Sequence, residues 1–208
     1  MSVEDMRDAP SNLSRRRALL LTGAAVARLG AVEPDFWITK PVREWSVAEI
    51  YQLTNRSPWA KQVQWWGPPL RTAETVPSKM PAVPPGAVVV WESAKPILDA
   101  LKRDLPAVFA DHYVVSFDGP SLGDQSMRSL AVETVLEAKS KPKVKVSAAL
   151  VGQLIRNSVV YAFGFPKKAV SIGPDCEEVV FRTQFGTIWK LEATFKPKEM
   201  LYHGEVAV

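Results

Sequence analysis

Few residues in this chain of 208 could act as nucleophile or base. It contains two histidines, His112 and His203, and one cysteine, Cys176. Nucleophilic catalysis needs a nucleophile, a base that activates it and donors for the oxyanion. The G-x-S-x-G run at 119–123, GPSLG, lacks the strand–elbow–helix setting that the nucleophile motif requires. Asp175 and Glu177 would raise the pKa of the thiol between them. No catalytic residue is therefore predicted, although a secreted hydrolase that uses paired carboxylates or the histidines stays open as an alternative.

Metal ligands and phosphate-binding loops also lack their usual spacing. His112 follows Asp111, and His203 stands two residues before Glu205. Neither pair has the H-x-x-x-H or H-E-x-x-H spacing that sets two ligands on one helical face. A single cysteine excludes an intramolecular disulfide and a cysteine-based zinc cluster, and the sequence has neither G-x-x-x-x-G-K nor G-x-G-x-x-G. We predict no metal and no cofactor.

Three of the seven tryptophans fall within SPWAKQVQWW, residues 57–66. Exposed indole rings bind sugars or bases by stacking, so Trp59, Trp65 and Trp66 are the candidate ligand-binding residues. In an extended segment Trp59 and Trp65 share a side with Val63, whereas Trp66 points the other way. We expect the first two rings to contribute to the core and Trp66 to stay exposed.

Four lysines alternate at positions 139, 141, 143 and 145. This spacing favours the solvent face of an edge strand, where lysine opposes edge-to-edge association. With a net charge of +4 and a pI near 9.2, a basic module that binds an anionic polymer is an alternative. No specific nucleic-acid motif supports binding to RNA or DNA.

The first 32 residues have the pattern of an export signal. Three arginines, Arg15 to Arg17, precede an apolar run at 18–27 that is too short to span a bilayer as a helix. Arg16-Arg17-Ala18-Leu19-Leu20 is similar to the twin-arginine motif, and Ala25-Val26-Ala27 predicts cleavage after Ala27. We expect a periplasmic or extracellular protein with no transmembrane segment in the mature chain.

These residues must be positioned by the rest of the chain, residues 33–208, which we expect to form one α+β domain with a proline-rich loop at 67–86. The chain is 47% apolar and 23% charged, as globular domains are. Ser46 and Glu49 form a capping box, which predicts a helix from Val47 to about Thr54. Periodicity predicts further helices at 93–110 and 127–138, strands at 87–91, 112–117, 159–165 and 204–208, and a hairpin of 178–185 with 189–195. The sum is a mainly antiparallel sheet of about six to eight strands with two or three packed helices. The step from Ala87 to Phe117 offers one parallel pair.

Several short motifs occur in a fixed order along the chain. They are Trp45-Ser46, Ser57-Pro58-Trp59-Ala60-Lys61, Trp91-Glu92-Ser93-Ala94-Lys95-Pro96, Phe165-Pro166-Lys167, Glu178-Val179-Val180-Phe181-Arg182-Thr183 and 195–204, FKPKEMLYHG. In this order the chain resembles short exported acidobacterial proteins, some related to chains with a GWxTD domain, although it has no literal G-W-x-T-D. The resemblance spans most of residues 45–206. It implies export and a shared fold, and it brings no assigned activity and no functional residues.

The sequence therefore predicts an exported, tryptophan-rich protein of the bacterial cell envelope that acts as a non-catalytic binding or interaction module. Its partner would be another envelope protein or a polymer. The secreted hydrolase and the basic polymer-binding module are the alternatives.

Overall fold

The computed structural model describes residues 35–65, 86–118, 133–156, 158–185 and 189–208. The helices are α1 (Phe36–Thr39), α2 (Val47–Asn55) and α3 (Lys95–Leu101). The strands are β1 (Ala60–Val63), β2 (Ala87–Trp91), β3 (His112–Phe117), β4 (Val135–Ala138), β5 (Val144–Ser147), β6 (Leu150–Ile155), β7 (Val159–Pro166), β8 (Val179–Phe185), β9 (Trp189–Phe195), β10 (Leu201–Tyr202) and β11 (Glu205–Val206). The predicted export signal at 1–32 and nearly all of the proline-rich loop lie outside the described residues.

The strands form two antiparallel sheets and a small ribbon. One sheet has the order β1-β2-β3-β7-β6, the other has the order β5-β4-β8-β9, and β10 pairs only with β11. The prediction of mainly antiparallel strands with two or three helices is confirmed. The strands divide between two sheets rather than one, and the last strand does not join either of them.

The predicted parallel pair is wrong, because β2 and β3 are antiparallel neighbours that place Val90 opposite Ser116. A parallel crossover needs a helix long enough to carry the chain back along the whole strand. Helix α3 has seven residues, about 10 Å at 1.5 Å per residue, which is too short. It ends at Leu101, well before the predicted end near Ala110, and the following Lys102 has a left-handed φ of 49°.

Most of the local predictions hold. The capping box is present: the Ser46 hydroxyl accepts from the Glu49 amide at 3.2 Å, and the Glu49 carboxylate accepts from the Ser46 amide at 2.7 Å. Strands β8 and β9 form the predicted hairpin, with Arg182 opposite Glu192. The helix predicted at 127–138 is wrong at its end, because residues 135–138 form β4 and pair with β8; residues 127–132 lie outside the described ranges.

Aromatic rings fill the space between the two sheets. The Phe163 ring of the five-stranded sheet lies 5.9 Å from the Phe181 ring of the four-stranded sheet. Trp91 meets Phe195 edge-on at 5.2 Å. Alternate residues of a strand point to the same face, which is why the inward positions of both sheets are the apolar ones. Edge-to-face pairs of this kind add about 0.5–1.5 kcal/mol beyond the burial of their area.

Candidate functional site

The structure places the three candidate tryptophans differently. Trp59 is fully buried, its indole N–H donates to the Ala207 carbonyl at 2.6 Å, and its ring packs edge-on against Trp37. Trp65 is half-buried and packs edge-on against Phe117 at 5.3 Å. Trp66 lies outside the described residues. The ring of Trp59 therefore serves the core, and Trp65 is the described ring of this segment that reaches the surface.

A groove of about 550 Å³ opens where β1 ends and β2 begins. Its lining residues are Gln62, Val63, Gln64, Gly86, Ala87, Val88 and Asp118. The antiparallel register sets Gln62 opposite Val88, and Gln64 follows on the same side as Gln62 because strand residues two apart share a face. Both glutamine side chains are exposed, and neither makes a hydrogen bond to the described part of the chain. The groove thus offers two free amides within a volume typical of ligand sites.

Asp118 completes the groove from the third strand. It follows directly after β3, and its Oδ1 accepts from the Val88 amide at 2.5 Å. The carboxylate satisfies a backbone N–H at the end of the ladder, and this bond fixes its position beside the glutamines. An amide both donates and accepts hydrogen bonds, whereas a carboxylate accepts. With an apolar contact from Val88, which lies opposite Gln62, the arrangement suits a neutral ligand rich in hydroxyl or amide groups.

The histidines do not form an acid–base pair in the structure. His112 is half-buried at the start of β3, and its Nδ1 is buried without a hydrogen-bond partner. His203 is exposed in the turn between β10 and β11, where its φ is 52°. Among the described residues, no hydrogen bond joins either imidazole to a carboxylate or to the thiol.

Cys176 is buried, and its Sγ donates to the Glu178 carbonyl at 3.3 Å. Burial is the main cause that raises the pKa of this thiol, and the charge of Glu177 adds to it. A thiol kept protonated is a poor nucleophile. The described ranges also contain no group of three His, Cys, Asp or Glu residues placed to hold a metal ion.

Two of the four alternating lysines are neutralised. Lys139 pairs with Glu178 at 2.6 Å, and Lys143 pairs with Glu137 at 2.6 Å. The predicted edge strand exists as β5 at the margin of the four-stranded sheet, but of these four lysines it contains only Lys145. An ion pair at each of two positions weakens the attraction of this strip for an anionic polymer.

A buried ionic cluster is the feature that the sequence did not reveal. Glu92 is fully buried. Its Oε2 accepts from Arg103 Nη2 at 2.5 Å, and its Oε1 accepts from the Ser116 hydroxyl at 2.5 Å. Arg156 Nη1 lies 3.8 Å from the same Oε1. The sequence contained one sign of this cluster. A glutamate follows directly after the apolar run AVVVW, at the position where β2 ends in the core.

Comparison of the chain with protein-family models, curated proteins and solved structures finds no match. Within the described ranges, none of the helices has the length and apolar character needed to cross a membrane. The function of the chain must therefore be inferred from its own residues and their geometry.

Proposed function

We propose that the chain is an exported, non-catalytic binding module of the cell envelope that holds a neutral, hydroxyl-rich polymer in the groove beside Asp118. The observation that carries this proposal is the pair of exposed amides of Gln62 and Gln64, which make no hydrogen bond within the described residues and line a groove of ligand size. Sugar hydroxyls donate and accept hydrogen bonds, as side-chain amides do, so the two groups match without any net charge.

The groove also has the apolar surface that a sugar ring needs. The half-buried Val88 lies opposite Gln62 on the same face of the sheet, between the glutamines and Asp118 in the strand order. The C–H faces of a sugar ring pack on such a surface while the hydroxyls at the ring edge reach the polar groups. Ligand sites typically combine an apolar lining with a few placed polar groups in this way.

Binding without hydrolysis fits the carboxylates of the groove. Glycoside hydrolysis commonly uses two carboxyl groups about 5–10 Å apart, one on each side of the bond that is cleaved. Among the described residues that line the groove, Asp118 is the single carboxylate, and one of its oxygens is already held by the Val88 amide. The secreted hydrolase therefore has less support than the binding module.

Binding to insoluble polysaccharide tests the proposed ligand class. Purified protein is mixed with cellulose, chitin or starch granules, and the protein left in the supernatant is measured. We expect at least one of these neutral polymers to deplete the protein, and Gln62→Ala/Gln64→Ala to weaken that binding about tenfold, equivalent to the loss of about 1.4 kcal/mol of hydrogen bonding.

Thr194→Ala is the matched control, because Thr194 is an exposed strand residue of the other sheet. Equal binding by all three proteins would remove the groove from the proposal. Depletion only by a polyanion such as heparin, with a steep dependence on salt, would instead favour the basic module.

Cell fractionation tests the proposed location. We expect the chain in the periplasm or medium with a mass that corresponds to loss of residues 1–27. Cytoplasmic protein that retains Met1 would contradict export while leaving the groove assay unaffected.

A further inference from the structure

Strand β6 is an edge of the five-stranded sheet that carries no charge. Residues 147–155 read SAALVGQLI, without lysine, acidic residue or proline. The other edges of the two sheets differ: β5 contains Lys145, β9 contains Lys190 and Glu192, and β1 contains Lys61 and lies in contact with β9. Natural edge strands are usually protected by charge, proline or a covering element, because their outward N–H and C=O groups can pair with another strand. Among the described edges, β6 is therefore the one open to such pairing.

The same strand leaves large apolar side chains in water. Ile155 is 79% exposed, and Val159, which lies opposite it on β7, is 52% exposed. Both belong to the row that also contains Val151 and Gln153, since alternate residues of β6 share a face. The opposite row is covered: Leu154 is buried in the cluster with Phe109. An exposed apolar pair at the end of an unprotected edge indicates a contact surface.

We infer that β6 pairs antiparallel with β6 of a second copy, about a twofold axis at Gln153. This interaction surface is independent of the proposed groove, which is formed by β1, β2 and Asp118. In this register Gln153 faces Gln153 of the copy, and Val151 faces Ile155 of the copy. Residues that pair across an antiparallel ladder point to the same face.

In this register, the apolar row on one chain continues into the apolar row on the copy. Val159 lies beside Ile155, and Phe163 lies beside Val151. One row of side chains therefore crosses the interface in the order Val159, Ile155, then Val151 and Phe163 of the copy. The twofold axis generates a second, equivalent row that runs in the opposite direction. The exposed Ile155 gains an apolar neighbour on its open side.

Charge favours a second copy of this strand as the occupant. Because residues 147–155 carry no charge, self-pairing brings no like charges together. The nearest charges, Arg103 and Arg156, are both directed to the buried Glu92 of their own chain. Arg103 donates to the Ile155 carbonyl at 2.5 Å, and that oxygen has a second lone pair for the amide of the copy.

The oligomeric state of the full chain tests this inference. Sedimentation equilibrium over a concentration series measures the dimer dissociation constant for the wild type, Ile155→Lys and Tyr51→Lys. We expect Ile155→Lys to raise the constant at least about tenfold, because the interface would bury an unpaired ammonium group. Tyr51→Lys is the control, because Tyr51 is 59% exposed on α2, which packs on β1 and β2 rather than on β6.

A cross-linking experiment tests the register and does not depend on the folding of a lysine variant. Under mild oxidation, Gln153→Cys should form a disulfide-linked dimer faster than Tyr51→Cys, since residues at the twofold axis lie within disulfide distance. The native Cys176 is buried and contributes little. A wild type that stays monomeric at every concentration, an unchanged constant for a folded Ile155→Lys, or equal cross-linking of the two cysteine variants would each overturn the inference.

Discussion

The buried Glu92 cluster supplies the sharpest prediction about stability. The carboxylate is fully buried and receives hydrogen bonds from Arg103 and Ser116, with Arg156 close to it. Glu92→Gln keeps the shape and one carbonyl oxygen but removes the negative charge. Two arginines then remain in a largely buried site with no counter-charge among the contacts that hold Glu92. The variant therefore isolates the charge rather than the packing.

The loss of unfolding free energy can be estimated from the exposure of the two arginines. Removing one member of a buried ion pair costs about 3–5 kcal/mol when the remaining charge stays uncompensated. The arginine side chains retain 22% and 10% of their exposure, for Arg103 and Arg156, so water relieves part of the loss. The hydrogen bond with Ser116 can also form with glutamine. We therefore expect about 3 kcal/mol, a large share of a typical unfolding free energy of about 5–15 kcal/mol.

Urea denaturation followed by tryptophan fluorescence measures this loss, and calorimetry should show a melting temperature lower by about 6–12 °C, at about 2–4 °C per kcal/mol for a domain of this size. Glu199→Gln is the control, since its pair with Lys196 is half-exposed on both sides and such pairs contribute about 0–1 kcal/mol. If Glu92→Gln and Glu199→Gln lose the same stability, the buried charge is not needed and the reasoning is refuted.

Two further predictions concern the pH dependence of stability and the packing of a glycine. The hydrogen bond from Lys143 is the main cause that lowers the pKa of Glu137 from 4.5. The ionised carboxylate therefore stabilises the fold at pH values above 4.5, and this stabilisation is lost as the pH falls through the lowered pKa. Urea midpoints measured from pH 7 downward should therefore fall less steeply for Glu137→Gln than for the wild type, and parallel curves would contradict this. Gly164→Ala should cost about 1–3 kcal/mol, because the added Cβ would lie 3.1 Å from the Leu150 Cβ. Gly173→Ala, where the added carbon meets nothing within 4 Å, should change the unfolding free energy by less than about 0.5 kcal/mol; equal losses would show that the contact is relieved at no cost.

Local patterns in the sequence predicted the elements whose formation depends on neighbouring residues. The continuous apolar runs became β2 and β3 with the expected bounds, and the alternation on either side of Gly186 in the sequence predicted β8 and β9. The run Val135–Ala138 fits a helix or a strand equally well, and its pairing with β8 decides the outcome. The division into two sheets also depends on pairings between distant residues, which local periodicity does not contain.

The candidate groove could not be predicted for the same reason. Its lining comes from three segments, around residues 62–64, 86–88 and 118, so no motif of fixed spacing describes it. In the sequence Asp118 was a turn residue before Gly119 and Pro120, and its role on the Val88 amide depends on the register of β2 with β3. The burial of Glu92 could not be predicted for another reason. A glutamate is expected to be exposed unless partners from other elements bury it.

The hydrogen bond between Trp59 and the Ala207 carbonyl joins residues 148 positions apart. A chain still being synthesised lacks this acceptor until residue 207 has been added. The edge-on contact of Trp45 with Tyr202 has the same requirement. Contacts of such long sequence separation slow folding, because a long loop must close before the contact is made. The aromatic layer at this end of the molecule is therefore completed late, after the local hairpins have formed. Until residues 200–208 are in place, the Trp59 N–H has no acceptor in its native position, a deficit of about 1–3 kcal/mol once the ring is buried.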